Sequence, residues 1–253
     1  MTIQQVIDKI IAYHPPLGER EATTCDTVKF GDTSIPCTGI ATAIYPSPDI
    51  IRAAAKAGCN LLVVHEPSFY SHMDPLDWLE DNQTANLKMQ LLREHQMVIL
   101  RDHDRIHAHV PDGIFYGVIC ELGWEQYLKT NMNQPSDPSR TFVAEFEMPG
   151  IPVAELVHKA ALGGHLFPNS GHVITAIEQQ QIDLFIPLEM IDWEVPCYFK
   201  DAGQLGLNKA CLQTGHYNGE ELGMKYAVNW LQELTGNTLP VVFCPNQDMY
   251  DYI

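Results

Sequence analysis

The sequence predicts an α/β chain of two three-layer lobes, with mixed, largely parallel sheets flanked by helices. Three observations carry this expectation. Residues 61–64 (Leu-Leu-Val-Val) form an uninterrupted apolar run, the pattern of a strand buried on both faces of a parallel sheet. The apolar runs at 37–44, 61–64 and 97–100 are separated by stretches of helical periodicity with short connections, as in successive parallel crossovers. Beyond a polar stretch at 131–140 that holds two prolines, the same alternation returns. That stretch is the expected boundary, giving an N-terminal lobe over 1–130, a C-terminal lobe over 140–253, and a metal site between them.

Each element has a local reason. Residues 3–13 place Ile3, Val6, Ile7, Ile10 and Ile11 at helical spacing, with Thr2 as N-cap. Residues 17–32 are polar and turn-rich, with room for one short strand. After the strand at 37–44, Ser47 and Pro48 supply an N-cap and a first helical residue, and Gly58 closes that helix. Pro67 stops the central strand, having no N–H for a ladder. Residues 84–95 and 113–122 read as helices, with the strand at 97–100 before the second. In the second half, 141–147 alternates as a half-buried strand, and 152–162 and 174–180 read as helices. A strand at 184–186, a helix at 193–205, a short strand at 209–212, the amphipathic helix 221–234 and a last strand at 240–244 complete the chain.

Composition narrows the function. The 253 residues are 45% hydrophobic and 19% charged, ordinary for a globular chain with a sizeable core. The net charge of -17, from 32 acidic and 15 basic residues, opposes nucleic acid and anionic membrane surfaces, which recruit Lys and Arg. An anionic substrate would need local positive charge, which a bound metal can supply. Seven scattered cysteines without a C-x-x-C pair read as thiols of a reducing compartment. With no leader and no apolar run of spanning length, a cytoplasmic location is expected.

Three strand ends offer metal-capable side chains: His65-Glu66; His103-Asp104 with His107; and His216 with Glu220. In open α/β sheets, ligands bind beyond the carboxyl ends of strands. His103 and His107, like His216 and Glu220, have the i, i+4 separation that shares one helical face. Imidazoles and carboxylates without Cys suit zinc, manganese, iron or nickel at a site with open positions. This many ligands exceeds one tetrahedral ion and suits two divalent ions, whose chemistry is hydrolysis. His103, Asp104 and His107 remain alternatives at the second strand end.

Four stretches, Gly39-Ile-Ala-Thr-Ala-Ile44, Gly58-Cys-Asn-Leu-Leu-Val-Val-His65, Asp183-Leu-Phe-Ile-Pro-Leu-Glu189 and Thr214-Gly-His-Tyr-Asn-Gly-Glu-Glu-Leu-Gly-Met224, resemble the Nif-three-like family of dinuclear metal centre proteins, described as GTP cyclohydrolase I type 2-like. The resemblance covers most of the chain. It implies metal ligation by His216 and Glu220, with Glu220 bridging two ions. It also implies a homo-oligomer, commonly a hexamer, sometimes smaller. Three departures mark a divergent branch. The family's His-His-Pro is His65-Glu66-Pro67, the Asp expected four residues after His103 is His107, and a Thr-Gly pair is replaced by Pro187-Leu188 before Glu189. The expected activity is a metal-dependent hydrolase acting on a nucleotide or phosphoester, with Glu66 a ligand or general base. The alternative is a non-catalytic, metal-dependent oligomeric scaffold or regulatory binding protein.

Overall fold

The computed structural model describes residues 1–134, 140–148, 157–246 and 249. Helix α1 (Ile3–Tyr13) opens on a capping box, in which Thr2 Oγ1 accepts from the Gln5 amide and the Gln5 side chain accepts from the Thr2 amide. A 3₁₀ turn follows at Gly18–Ala22, then β1 (Val28–Phe30) and β2 (Ile40–Ala43). Helix α2 (Pro48–Lys56) starts as its sequence demands, with Pro48 in the first turn and Ser47 Oγ accepting from the Ile50 amide. Strand β3 (Leu61–Val64), α3 (Gln83–Glu94) and β4 (Val98–Arg101) come next. A single helical turn, α4 (Asp104–His107), precedes α5 (Gly113–Leu122).

The second half contains β5 (Ala144–Glu147), β6 (Lys159–Leu162), α6 (Gly171–Gln179), β7 (Leu184–Ile186), α7 (Val195–Gln204) and β8 (Ala210–Cys211). Helix α8 (His216–Leu234) and β9 (Val241–Phe243) end the chain. Residues 159–162 form a strand, where the sequence predicts a helix over 152–162; the earlier part of that range, 152–156, lies outside the described residues. Lys-Ala-Ala-Leu has good helical propensity, but pairing on both sides overrides it: β6 runs antiparallel to β5 and parallel to β7. Helix α8 also begins five residues before the expected start at 221.

The strands form two sheets. One has the order β1-β4-β3-β2-β9, the other β5-β6-β7-β8. Every pairing is parallel except at one edge of each sheet, β1 on β4 and β5 on β6. The fold is therefore α/β with mixed, mostly parallel sheets, as expected. Strands β2, β3 and β4 are buried at every position, which is why their sequences run apolar instead of alternating.

The chain divides into two compact units, Met1–Val118 with Glu220–Ile253, and Ile119–Gly219. The sequence places the division near 130–140 and assigns everything beyond to the second lobe. The structure differs because the C-terminal strand joins the first sheet: Ile40, Ala41 and Thr42 of β2 pair with Val241, Val242 and Phe243 of β9. Thr42 Oγ1 donates to Met224 O at 2.9 Å, tying α8 to the same strand. A strand's sequence shows its burial, not which sheet will take it.

The first unit has a core of Ile51, Leu62, Val64, Leu92, Ile99 and their neighbours. The second has its own, around Phe142, Ala161, Ile177, Phe185 and Phe199.

Candidate metal centre

The first unit's candidate site lies beyond the carboxyl ends of β3 and β4. His65 and Glu66 follow β3 directly, and their amides donate to Ile44 O at 3.2 and 2.8 Å, extending the β2 pairing into the site. His65 is fully buried and Glu66 nearly so. Beyond β4, Asp26 fixes the position of α4. Its carboxylate accepts from the His103, Asp104 and Arg105 amides at 2.8, 2.9 and 2.7 Å. That contact satisfies three amides at the start of the turn and places a negative charge there. It brings His103 and His107, at the two ends of this turn, against His65. The ring centroids lie 4.5 Å (His65–His103), 4.9 Å (His65–His107) and 5.1 Å (His103–His107) apart.

Each of these imidazoles is held from behind through Nδ1. His65 Nδ1 donates to Asp102 O at 3.1 Å. A carbonyl only accepts, so this bond puts the proton on Nδ1 and leaves a lone pair on Nε2. His103 Nδ1 meets Asp104 Oδ1 at 3.1 Å, and His107 Nδ1 meets Asp112 Oδ2 at 2.8 Å. Acceptors behind Nδ1 fix the tautomer that presents Nε2 to a metal. His65 Nε2 is buried without a hydrogen bond, and it faces Glu220 Oε2 at 3.5 Å. An acceptor nitrogen opposite a carboxylate oxygen is what a cation between them would reconcile.

His65 thus belongs to two overlapping ligand groups: His65, His103 and His107, and His65, Glu66 and Glu220. Within each group the ligand atoms lie within 4.8 Å of one another. Helix α8 supplies Glu220 from a buried position. Asp104 stands behind His103. Its Oδ2 accepts from Thr24 Oγ1 at 2.8 Å and from the Cys25 amide at 3.2 Å. At the second strand end, His103 and His107 are therefore the side chains gathered with His65, while Asp104 orients one of them. Cys25, His103 and Asp104 form a further group of metal-capable atoms; burial pushes the Cys25 thiol up to about 12, so a metal binding there would have to displace the thiol proton.

Electrostatics favour a neutral imidazole at His103 and an ionised carboxylate at Asp104. Burial, helped by His65 and His107, pulls His103 down to about 4. Burial pushes the Asp104 carboxyl up, but hydrogen bonds from Thr24, His103 and the Cys25 amide together hold it well below the usual carboxylate range. For His107, burial opposes protonation, yet the bond and charge of Asp112, with Glu220 and Glu66 nearby, leave it raised. A divalent ion on this imidazole competes with its protonation.

Arg101, fully buried, ends β4 and organises the loop after β3. It donates through Nε to His65 O at 2.9 Å and through Nη1 to His72 O. Its Nη2 lies 4.0 Å from Glu66 Oε2. His72 stands edge-on to His103 at 5.8 Å between centroids. Tyr70, in a left-handed backbone conformation with φ 67°, lies over Lys88 at 5.7 Å.

His216 is gathered with His165 and Glu189. In the second unit its Nδ1 lies 3.3 Å from Glu189 Oε2, and His165 Nδ1 lies 2.8 Å from Glu189 Oε1. His165 has no partner in the sequence reading; 24 residues separate it from Glu189. Asp26 and Asp112 also escape a reading by motif. Asp26 acts over a separation of 77 residues, and Asp112 reads as a plain helix start.

No family model matches the chain. A curated protein of Chlamydia pneumoniae, "GTP cyclohydrolase 1 type 2 homolog", is 29% identical over 98 residues, which is 38% of this chain and 37% of that protein. The chain's match thus spans little more than a third of that relative's length. Solved structures agree over the whole chain. The Staphylococcus aureus hypothetical protein SA1388 has a TM-score of 0.67 at 15% identity, covering 100% of this chain and 99% of the other. TTHA1606 from Thermus thermophilus scores 0.63 at 16% identity, covering 99% and 100%. A Bacillus cereus protein related to NIF3 scores 0.63 at 12% identity, covering 100% and 99%. This chain has the fold of these structures, one of which is described as related to NIF3.

Proposed function

We propose that the chain is a divalent-metal-dependent hydrolase whose centre is built from His65, Glu66, His103, His107 and Glu220. The observation that supports this most is the set of three imidazoles, each held at Nδ1 by an acceptor, around a buried His65 Nε2 that makes no hydrogen bond. The two ligand groups that share His65 suit two ions, with zinc, manganese, iron or nickel compatible with the mixed N and O donors. Such ions supply Lewis acidity and a water made nucleophilic near neutral pH.

The chain's own residues do the rest. Asp102 O, Asp104 and Asp112 fix imidazole orientation. Arg101 holds the backbone that carries His65 and keeps positive charge beside Glu66. Glu66 serves as ligand or as the base that takes a proton from the attacking water. The curated relative's name points to a nucleotide, so the substrate class is a nucleotide or phosphoester. The resemblance also assigns a ligand role to His216, and a homo-oligomer, hexameric or smaller, is part of the same reading.

The test is turnover of a nucleotide and phosphoester panel with zinc, manganese or iron added. The expected result is cation-dependent hydrolysis that falls at least ~100-fold in Glu66→Gln and His107→Ala. If no cation gives turnover above background, while metal removal disperses the oligomer, the protein is a metal-dependent scaffold instead.

A further inference from the structure

We propose that His14 is a positioning residue of the metal centre, acting on His65 through Asp102. The inference rests on the centre proposed above, and it gives a role to a buried histidine that is not one of the ligands.

Asp102 follows β4 and is tied at three points. Its amide donates to Val64 O at 2.9 Å, continuing the β3 pairing. Its carbonyl accepts from His65 Nδ1 at 3.1 Å. Its carboxylate, on a buried side chain, meets His14 Nε2 at 3.1 Å. His14 ends α1 in an extended conformation, φ -78° and ψ 152°, as a residue before proline should. Its ring is fully buried. Trp230 stands edge-on to it at 5.4 Å between centroids, and Trp230 is itself stacked on Tyr13 at 4.6 Å. An ionised carboxylate only accepts, so the proton of the His14–Asp102 bond sits on Nε2. The neutral ring then accepts at Nδ1 from His109 Nε2, 2.8 Å away. With both nitrogens engaged, the tautomer and the plane of His14 are fixed.

The arrangement matters because of how His65 is backed. His103 and His107 meet carboxylate side chains, whereas His65 meets a main-chain carbonyl. A carbonyl moves only with its backbone. The His103 amide, on the same peptide plane, donates to Asp26 at 2.8 Å, and the His14 bond holds the Asp102 side of that plane. An apolar pair could fill the same space at similar stability, but it would leave Asp102 without this directional tie. The direction of the carbonyl sets the direction of the His65 ring, and so where Nε2 points.

The experiment is cobalt(II) titration of chelator-treated full-length protein, read by calorimetry and by the visible ligand-field spectrum, which d¹⁰ zinc does not give. The variants are His14→Ala, His14→Gln and His14→Asn. Glutamine can set an amide N–H where Nε2 stands, while asparagine reaches only as far as Nδ1. His14→Ala and His14→Asn are expected to bind cobalt about tenfold more weakly, with an altered spectrum. His14→Gln is expected to recover most of both. Wild-type affinity and spectrum in His14→Ala would overturn the proposal and leave the metal centre standing. Failure of His14→Gln to bind better than His14→Asn would overturn it too, since His14 would then act by packing alone; this contrast decides even if His14→Ala does not fold. Wild-type protein that takes up no cobalt would overturn the centre itself, and this inference with it.

Discussion

Asp112 serves two elements at once. Its Oδ1 accepts from the Ile114 and Phe115 amides at 2.9 and 3.0 Å, capping α5, while Oδ2 holds His107 Nδ1. Asp112→Asn keeps the cap, since Asn is as good an N-cap as Asp, but removes the charge behind the imidazole. Zinc affinity should fall about 10–100-fold with stability nearly unchanged; equal affinity in a competition titration would count against His107 as a ligand. Lys88 makes a second test at this scale. It is buried, its Nζ donates to Ser68 O at 2.6 Å and lies 4.4 Å over the Tyr45 ring, and burial lowers it to about 7 from 10.5. Above pH 7 the native lysine sheds its proton while the unfolded chain keeps its own. The unfolded state then binds more protons, so this group makes stability rise with pH. Urea unfolding from about pH 7 to about pH 8.5 should show that rise, and Lys88→Met should flatten it. An identical slope in the variant would show the lysine stays charged. Much of this residue-level detail was legible only in part. His65, Glu66, His103, His107 and Glu220 stand out as ligand types at strand and helix ends. That His107 gathers with His65 while Asp104 turns to Thr24 and Cys25 was not legible, because those partners of Asp104 lie far away in the chain.

At the scale of elements, the close crossing of α5 and α8 places Glu220. A Cβ on Gly223 would lie 2.7 Å from Ile114 O and 2.8 Å from Ile114 Cα, and one on Gly117 would lie 2.9 Å from Tyr226 Cβ. The obstacles at Gly223 are backbone atoms, which cannot rotate away. Gly223→Ala should therefore cost about 1–3 kcal/mol and weaken zinc binding by displacing the turn that carries Glu220. Denaturation and zinc titration on one preparation check both effects; a variant as stable as wild type would mean that the helices separate freely. Thr2→Ala should cost about 1 kcal/mol by removing half of the capping box, with no change in metal affinity, a control for stability loss alone. Caps were the most legible elements: Thr2, Ser47 and Pro48 act as their sequence suggests. Strand β6 was illegible because its Ala-rich sequence carries no strand propensity, and its ladder partners are 144–147 and 184–186.

For the whole molecule, a net charge of -17 means that an anionic substrate would approach against the field unless cations are bound. Among the described residues, no helix is long and apolar enough to cross a membrane. The expectation of a homo-oligomer is checked by light scattering, where a mass of several 28.5 kDa chains supports it and a monomer at micromolar concentration refutes it. The two units explain why the chain's halves look alike in sequence, each being a parallel sheet with one antiparallel edge. The division itself was hidden because α8 and β9 return to the first unit. The central claim is that His65, Glu66, His103, His107 and Glu220 hold divalent metal. Its most direct measurement is metal analysis of protein purified without chelator, beside His65→Ala and His107→Ala. The account predicts at least one tightly held ion per wild-type chain that is lost in both variants, and less than one ion in the wild type, or an unchanged content in both variants, would contradict it.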